Sequence, residues 1–320
     1  MPVPKVAATL PVTVVVVTWN CEATLAGCLA AVSRSSPAAP ARVICVDNGS
    51  TDASRSIAAA CGAEVVTMGV NAGFPRAVNA VLDECTSEFV LLLNPDVEVA
   101  PDAIATCVRA LERQPRVGLV GANLRQPDGR PDLAAARRFR TLGLLAIESL
   151  GLSQLSRRLD PQYFPRWDRT DSRPVPCING AFALIRTDLF RAIGGLDETA
   201  FLYLEDQELC RQVAARGLEV WFAADALAVH RVSAATRAAR PDQQAAAYLH
   251  RIDASVEIVR RIQGAPYAFA AVAIWMGRCV IAYVAAVVTS DRTGRQRYAS
   301  ALRWLAAQVT GRRPPPPVPS

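Results

Sequence analysis

The sequence predicts an α/β fold with a mostly parallel central sheet, followed by a helical C-terminal region. Two observations lead to this prediction. Over the first hundred residues, short β-branched or apolar runs alternate with segments whose apolar residues recur at helical spacing. Beyond about residue 240 the spacing is helical throughout. Repeated βα units imply parallel strands that helices cover on both faces.

Each element is predicted from its own residue pattern. The predicted strands are VTVVVVT (12–18), ARVICVD (41–47), AEVVTMG (63–69), EFVLLLN (88–94), RVGLVGANL (116–124), CINGAFALIR (177–186), and LEVWFA and ALAVH within 218–230. The predicted helices are residues 22–36, 51–62, 73–85 and 141–155, the second half of 194–217, and the region beyond 240. Gly62 and Gly217 are expected to end two of these helices.

These elements suggest four parts of the chain. Residues 1–10 form an N-terminal arm, 11–240 the α/β domain, and 241–310 a helical region close to a membrane. Residues 311–320 form a proline-rich tail that is expected to be disordered or extended. The N-terminal stretch lacks a small-residue cleavage site before its first strand, so it is not interpreted as a signal peptide.

The net charge of +6 is concentrated at the C-terminus. Residues 265–320 contain seven arginines and a single acidic residue, Asp291, whereas basic and acidic residues balance over 1–264. A basic tail on a neutral body suggests an anionic membrane surface, and nucleic acid fits less well because no aromatic-basic platform accompanies the charge. Nine cysteines without a C-x-x-C pair favour a reducing compartment.

Polar residues stand where the predicted strands end. Asn94-Pro95-Asp96 follows a strand whose apolar run indicates burial on both faces, and the carboxyl ends of such strands are where open α/β sheets bind ligands. The same tripeptide is also ordinary turn chemistry. Asp47 ends the second strand and can accept hydrogen bonds from a base or ribose, while Asp52 or its neighbours are expected to cap the next helix.

Two further features carry titratable groups. Glu205-Asp206 opens a helix and His230 ends a strand. A carboxylate and an imidazole suit a divalent ion such as Mn²⁺ or Mg²⁺ that also holds a diphosphate. Each feature has a structural alternative, because acidic residues stabilise helix N-termini and a single histidine is often structural.

Two nucleotide-binding motifs are absent from the sequence. The first strand opens into TWNCEATL without a G-x-G-x-x-G turn, and no G-x-x-x-x-G-K-[ST] loop occurs anywhere. The first absence weakens the hypothesis of a nicotinamide-dependent oxidoreductase. The second removes the main support for a phosphate-loop enzyme.

Taken together, the motifs resemble the inverting family-two glycosyltransferases of the GT-A fold, in particular their rhamnosyltransferase-like branch. The resemblance covers about residues 11–235. It is carried by TWN…E…L (18–25), VDNGSTD (46–52), NAGFPRAVN (71–79), LLLNPDV (91–97), NGAFALIR (179–186), GGLDETAFLYLEDQELCRQ (194–212) and VH (229–230).

This resemblance implies a role for each matching position. The implied donor-binding residues are Thr18, Trp19, Asn20, Glu22, Asp47, Asn71, Gly73, Asn79, Asn94, Pro95 and Asp96. The implied metal ligands are Asp96 and His230, and the implied general base is Asp206, with Gly180 and Glu205 on the acceptor side. Trp19 replaces the usual Tyr, and Asn94 replaces the first Asp of a strict D-x-D. A Q-x-x-R-W signature of processive members is also missing, so one sugar per acceptor is expected.

The implied function is inverting transfer of one sugar from a nucleotide-diphospho-sugar, with dTDP-rhamnose the expected donor, to a lipid-linked saccharide in bacterial cell-wall or surface polysaccharide synthesis. The implied location of the protein is the cytoplasmic face of the cell membrane. Two alternatives remain: another hexose donor, and a catalytically silent nucleotide-sugar-binding scaffold on the same fold.

The segment 265–290 is apolar except for Arg278 near its middle. A spanning helix needs about 20 apolar residues, and a central arginine facing lipid is costly. Three interpretations remain open: a helix packed on the catalytic domain or on a homodimer partner, a helix at the membrane interface, and a true span. Interfacial association is preferred because Arg292, Arg295, Arg297 and Arg303, interleaved with Tyr298 and Trp304, suit an anionic headgroup layer.

Overall fold

The computed structural model describes residues 9–149, 161–164, 166–199, 201–231 and 241–309. Most of the predicted arm, the end of the helix predicted over 141–155, and the proline-rich tail lie outside the described residues. The described residues form two compact units. The α/β unit contains residues 9–137, 168–199 and 205–231, and the helical unit contains 138–149, 161–164, 166–167, 201–204 and 241–309.

The α/β unit holds all the described strands and most of the shorter helices. Its strands are β1 (Leu10–Thr18), β2 (Pro40–Asp47), β3 (Glu64–Thr67), β4 (Phe89–Leu93), β5 (Val97–Val99), β6 (Val117–Arg125), β7 (Ala136–Arg137), β8 (Arg173–Pro174), β9 (Cys177–Ile178), β10 (Phe182–Arg186) and β11 (Glu219–His230). Its helices are α1 (Glu22–Ser33), α2 (Ser54–Ala60), α3 (Phe74–Asn79), α4 (Ala103–Arg113), α6 (Thr187–Ile193) and α7 (Glu205–Ala215). In the helical unit lie α5 (Leu142–Ser149), α8 (Pro241–Gln263), α9 (Ala265–Val288) and α10 (Arg292–Val309).

The central sheet has the strand order β3-β2-β1-β4-β10-β6-β11-β5, with β8 paired to β11. Parallel pairing joins β1 to β2 and β4, β2 to β3, and β6 to β11, whereas β10 and β5 run antiparallel to their neighbours. All five residues of β4 are buried, as its continuous apolar run predicts for a strand covered on both faces. The predicted α/β fold, with a mixed and mostly parallel sheet and C-terminal helices, is confirmed.

Local differences from the sequence prediction have identifiable causes. The single strand predicted over 177–186 is divided into β9 and β10, because the intervening backbone turns to accept and donate other hydrogen bonds. The two short strands predicted over 218–230 form one strand, β11, whose pairing with β6 shifts register between Ala223 and Leu227. The sequence prediction omitted α4, an amphipathic helix whose buried face packs on β6 and β11.

The helical unit has its own hydrophobic core, in which α5, α8, α9 and α10 pack together. The largest fully buried side chain is that of Trp275 in α9. Arg278, the single charge of that helix, faces the same unit: its Nη1 lies 3.4 Å from Glu148 Oε1, and its guanidinium lies 5.2 Å from the Trp275 ring centroid. Glu148 also pairs with Arg140 and Arg251, at 2.6 and 3.0 Å. Arg278 therefore faces the interior of the helical unit, where it shares the carboxylate of Glu148 with two other arginines.

The opposite face of α9 is an exposed apolar stripe. Its members recur every three or four residues, and none carries a charge. They are Phe269, Ala273, Gly277, Val280, Ile281, Val284 and Val288. Ile281 and Val288 are the most exposed, at 72% and 78%. Among the described residues, α9 is the only helix that is long and apolar enough to cross a membrane, although more than a quarter of its most apolar window is buried within the protein.

The structure corrects part of the headgroup cluster predicted in α10. Trp304 is buried in the helical core, and Tyr298 packs edge-to-face on Tyr248. Arg297 donates a hydrogen bond to Gln244 in α8. Spacing alone did not show which face of the helix is covered by α8 and α9. Arg292 and Arg303 are exposed and Arg295 is partly so, and these three remain available to an anionic surface.

Candidate active site

The carboxyl ends of three neighbouring strands bring the predicted donor residues together. Thr18, the last residue of β1, is the register partner of Asp47 at the end of β2. On the other side of β1, Val16 is the partner of Leu93, so the Asn94-Pro95-Asp96 turn begins at the same edge. Trp19 follows β1 directly and is partly buried. This edge is where an open α/β sheet binds its ligand.

Two of the predicted donor residues also hold the loops at this edge in place. Glu22 Oε2 accepts from the N–H of Ala53, while Asp52 Oδ2 accepts from the N–H of Glu22. Asp52 Oδ1 also accepts from the N–H of Ser54, the first residue of α2, at 3.0 Å, which is the contact that the predicted capping of this helix requires. Asn20 adopts a φ of 49°, and its Oδ1 accepts from the N–H of Thr51 at 2.8 Å.

Asp47 lies beneath these loops with one carboxylate oxygen unused. Its Oδ1 accepts from the N–H of Ser50 at 3.3 Å. Its Oδ2 is buried without a hydrogen-bond partner among the described residues, and only the Nε of Arg55 approaches, at 3.6 Å. A buried carboxylate oxygen of this kind costs free energy unless a donor reaches it. Asp47 can therefore accept a hydrogen bond from a ligand at the sheet edge.

Asn71 and Gly73 belong to the adjacent loop, which is connected to the second strand end through Asn48. The Nδ2 of Asn48 donates to Asn71 Oδ1 at 2.9 Å, and its Oδ1 accepts from the N–H of Ala72. Gly73 adopts a φ of 92°, which glycine tolerates at the start of α3. These contacts place the loop beside the end of β2, as the donor prediction requires.

Asn79, another predicted donor residue, contacts the loop that precedes α7. Its Nδ2 donates to the carbonyl of Leu196 and to Glu198 Oε1, and its Oδ1 accepts from the N–H of Leu196. Every polar atom of the amide is thus engaged in holding the loop that precedes α7. The structure assigns Asn79 this loop-fixing contact.

The Asn94-Pro95-Asp96 segment forms a turn that places Asp96 beside the end of β11. It is a closed turn, in which the N–H of Val97 donates to the carbonyl of Asn94. Antiparallel pairing of β5 with β11 then aligns His230 with Val97, next to Asp96. His230 Nε2 lies 3.5 Å from Asp96 Oδ1. The two predicted metal ligands, more than a hundred residues apart in sequence, are neighbours.

Asp132 orients His230 from the other side of the ring. Its Oδ2 lies 3.2 Å from His230 Nδ1, and its Oδ1 caps the 3₁₀ turn Leu133–Ala135 through the N–H of Ala134. Burial disfavours the imidazolium, but hydrogen bonds to the two carboxylates outweigh it and raise the pKa of His230 to about 9. Burial opposes the charge of Asp132 as well, yet its hydrogen bonds hold the pKa of that carboxyl below its usual range.

The donor set at Asp96 and His230 fits Mn²⁺ and suits Mg²⁺ less well, because Mg²⁺ prefers oxygen ligands. A metal ion binds only the neutral imidazole, so it must displace the proton of His230. Carboxylate oxygen and imidazole nitrogen are ligands that Mn²⁺ accepts, and a carboxylate on the second ring nitrogen is the usual support of a metal-bound histidine. Within the described part of the chain, no three acidic, histidine or cysteine side chains form a complete ligand set. The pair therefore suits an ion that completes its coordination with diphosphate oxygens and water.

The predicted base, Asp206, lies in the first turn of α7 and is reached from the same sheet edge. The N–H of Asn94 donates to the carbonyl of Ala181, and the N–H of Gly180 donates to Asp206 Oδ2 at 3.2 Å. A Cβ on Gly180 would lie only 3.1 Å from the Asp206 Cβ, so this position favours glycine. Glu205 and Asp206 both line a small cavity with Gly180.

Asp206 also forms an ion pair that sequence analysis missed. Arg137, in β7, places Nη2 at 2.5 Å from Asp206 Oδ2, and both side chains are about seven-eighths buried. The N–H of Gln207 donates to the other oxygen, Oδ1, at 2.7 Å. Glu208, two residues further in the same first turn, is buried and pairs with Arg211.

Asp132 and Arg137 both come from the stretch rich in arginine and proline. No site residue was predicted in this stretch, which spans residues 125–176 and contains the helix predicted over 141–155. The N–H of Asp132 donates to the carbonyl of Leu124 in β6, which holds Asp132 beside that strand. Arg137 is placed by the pairing of β7 with β9, in which it is the register partner of Cys177, three residues before Gly180. No signal in the sequence alone could have found them.

A protein-family comparison identifies the family. The model named Glycosyl transferase family 2 matches residues 13–194, more than half of the chain. This chain belongs to glycosyl transferase family 2. It is a glycosyltransferase of the GT-A fold that uses nucleotide-sugars. The matched range contains Asp47, Asp96, Asp132 and Arg137.

One curated relative is named N-acetylglucosaminyl-diphospho-decaprenol L-rhamnosyltransferase, from Mycobacterium tuberculosis. It is 30% identical over 212 residues, which cover 61% of this chain and 68% of the relative. This match supports the same family, and the substrates in its name are those of the relative.

Solved structures support the fold. A mannosyltransferase from Pyrobaculum calidifontis in complex with GDP-Man and Mn²⁺ is similar over 97% of this chain and 90% of its own, with a TM-score of 0.52 and 18% identity. GalNAc-T7 with UDP, GalNAc and Mn²⁺ gives a TM-score of 0.52 over 69% of this chain and 43% of its own, at 17% identity. At these identities the similarity shows the fold alone.

Proposed function

We propose that this glycosyltransferase transfers one sugar, rhamnose from dTDP-rhamnose, to a hydroxyl of a lipid-linked saccharide with inversion. The observation that supports it most is the arrangement of Asp96, His230 and Asp206 at one sheet edge. The rhamnosyltransferase relative, whose name gives a saccharide linked through diphosphate to decaprenol, supports the choice of donor and acceptor.

The donor is assigned to the edge formed by β1, β2 and β4. The unpartnered Oδ2 of Asp47 accepts a hydrogen bond from the base or ribose, and Trp19 provides an apolar surface beside it. Asn71 and Gly73 lie next to this position through their contacts with Asn48 and with each other. The diphosphate extends toward Asp96 and His230.

The reaction is a single displacement. Asp206 accepts the proton of the acceptor hydroxyl, whose oxygen forms the new bond to the anomeric carbon while the bond from that carbon to the diphosphate oxygen breaks. A divalent cation at Asp96 and His230 supplies positive charge that stabilises the leaving nucleoside diphosphate when it is bound. Asp132 keeps His230 oriented by its contact with Nδ1.

A thermal-shift comparison of nucleotide-sugars tests the donor. In the presence of Mn²⁺, dTDP-rhamnose is expected to raise the melting temperature more than UDP-glucose, GDP-mannose or dTDP alone. A hundred-fold excess over Kd contributes about 2.7 kcal/mol of stability, and EDTA should remove most of that shift. A larger shift with a UDP- or GDP-hexose would replace rhamnose as the donor. No shift with any of them would contradict the proposed donor site.

We also propose that the protein acts at the cytoplasmic face of the cell membrane as a peripheral protein. All nine cysteines are free, and all but Cys61 are buried, which suits a reducing compartment. The exposed stripe of α9 offers apolar side chains that each gain on the order of 1 kcal/mol on leaving water. Exposed Arg292 and Arg303 on the following helix complement anionic headgroups.

Sedimentation with liposomes tests this location. Full-length protein is expected to pellet with anionic liposomes at low salt and to be released as salt rises. Ile281→Ser with Val284→Ser should weaken the pelleting, whereas the equally exposed Val70→Ser in the α/β unit should not. Point variants test the stripe more directly than deletion of residues 265–320, because the deletion also removes Trp275 and Trp304 from the core of the helical unit.

Two outcomes would contradict the membrane proposal. One is full-length protein that stays in the supernatant with anionic liposomes at low salt. The other is a dimer in solution that the Ile281→Ser/Val284→Ser variant converts to a monomer, because the stripe would then be covered by a second copy of the chain.

A further inference from the structure

The ion pair between Arg137 and Asp206 presents a chemical conflict. A general base needs a lone pair that faces the acceptor hydroxyl, yet Asp206 already accepts three hydrogen bonds. Arg137 and the N–H of Gly180 occupy Oδ2, and the N–H of Gln207 occupies Oδ1. A carboxylate offers about four lone-pair positions, so both positions of Oδ2 are taken and one on Oδ1 is left. The observed arrangement therefore withholds Oδ2, the oxygen that faces Arg137, from the acceptor hydroxyl.

Arg137 has little freedom to leave Asp206 without another anion. Its backbone is fixed by pairing with Cys177, and its guanidinium is 13% exposed. Its Nη1 also donates to the carbonyl of Ala134, but a carbonyl does not balance the charge, and separating a buried charge from its counter-ion is strongly unfavourable, so water alone does not replace the carboxylate. Asp132 is another buried carboxylate of the same stretch, but it is already engaged by His230 and the N–H of Ala134.

A phosphate is the anion that best replaces Asp206. The guanidinium is planar, carries its donors in a fork, and binds phosphate oxygens in pairs, which makes it a stronger partner for phosphate than for one carboxylate oxygen. Asp206 lines a cavity together with Glu205, which the resemblance assigns to the acceptor side, so the phosphate that replaces Asp206 is expected to come from the acceptor. The donor diphosphate is assigned to the carboxylate and imidazole of Asp96 and His230.

We infer that Arg137 binds a phosphate of the acceptor and thereby releases Asp206 to act as the base. The enzyme then selects acceptors whose reacting sugar carries a phosphate, and Asp206 becomes available only when such an acceptor is bound. This inference rests on the proposed transfer to a lipid-linked saccharide, and it names the part of that acceptor which the protein recognises.

A comparison of two acceptors tests the inference. One is a short-chain lipid-diphospho-saccharide, and the other is the same saccharide on a neutral alkyl chain. Wild-type protein is expected to prefer the diphosphate acceptor in kcat/KM. Arg137→Gln should lower that preference about 10–100-fold, since hydrogen bonds to charged groups contribute about 1.5–3 kcal/mol. Arg137→Lys should keep part of the preference for the diphosphate acceptor, because the positive charge remains. The control variant Arg130→Gln changes an exposed arginine and should keep the full preference.

The ratio of the two acceptors separates recognition from a structural role. If Arg137 only supports the fold, its loss lowers both kcat/KM values by the same factor, and the unchanged ratio overturns the inference. If Arg137→Gln instead weakens binding of the nucleotide-sugar in the thermal-shift assay and leaves the ratio unchanged, Arg137 serves the donor and the inference also fails. A wild-type protein that transfers sugar to neither acceptor contradicts the proposed function itself.

Discussion

Asp206→Asn is expected to fold, to bind the nucleotide-sugar, and to lose about 10²–10⁴-fold in the rate of transfer, the usual contribution of a general base. An amide cannot accept the proton of the attacking hydroxyl, although it fills nearly the same space. The carbonyl oxygen of the substituted side chain can still accept from the N–H of Gly180 or Gln207. Measurement of kcat under saturating donor, beside a melting curve for each variant, separates chemistry from folding.

The neighbouring carboxylate provides the matched control. Glu205 lines the same cavity as Asp206, and Glu205→Gln is expected to change kcat far less. The loss of the carboxylate partner of Arg137 will cost stability in Asp206→Asn, so the comparison is made below both melting temperatures. A folded Asp206→Asn protein with wild-type kcat would show that the base lies elsewhere, and a large loss in Glu205→Gln would identify Glu205.

The sequence was sufficient to predict the sheet edge where the donor residues meet. Apolar runs that end in polar residues identify the carboxyl ends of buried strands, and parallel pairing brings such ends together. The register of Thr18 with Asp47 and of Val16 with Leu93 follows from that rule. The contact of His230 with Asp96 has a different origin, because β5 pairs antiparallel with β11 and so brings the end of β11 beside the turn.

The residues that support this site could not be predicted in the same way. Asp132 reaches His230 from a 3₁₀ turn, and Arg137 reaches Asp206 from a strand of two residues. Neither element has enough length to show a periodicity. Their positions depend on which distant backbone they pair with, and a single sequence does not contain that information. For the same reason Trp304 was expected at a headgroup layer, although α8 and α9 cover it.

Asp96→Ala is expected to abolish metal-dependent donor binding, because it removes the anionic ligand of a pair that holds only one carboxylate and one imidazole. His230→Ala should weaken Mn²⁺ binding but leave the carboxylate in place. Asp132→Asn should reduce metal affinity by about 10–100-fold, as the loss of a hydrogen bond to a ligating histidine commonly does. Calorimetric titration with Mn²⁺ in the presence of dTDP measures the metal affinity of all three variants.

The order of these losses distinguishes a metal site from a structural ion pair. If Asp96 and His230 ligate the metal, Asp96→Ala lowers Mn²⁺ affinity most and Asp132→Asn lowers it least. Asp128 is an exposed carboxylate paired with Arg130, and the control variant Asp128→Asn should bind Mn²⁺ as the wild type does. The buried His230 charge is balanced by two carboxylates, so a purely structural role would lower the melting temperature similarly in the Asp96 and Asp132 variants without changing Mn²⁺ affinity. Wild-type turnover by Asp96→Ala in EDTA would show that the assignment of the metal to Asp96 and His230 is wrong.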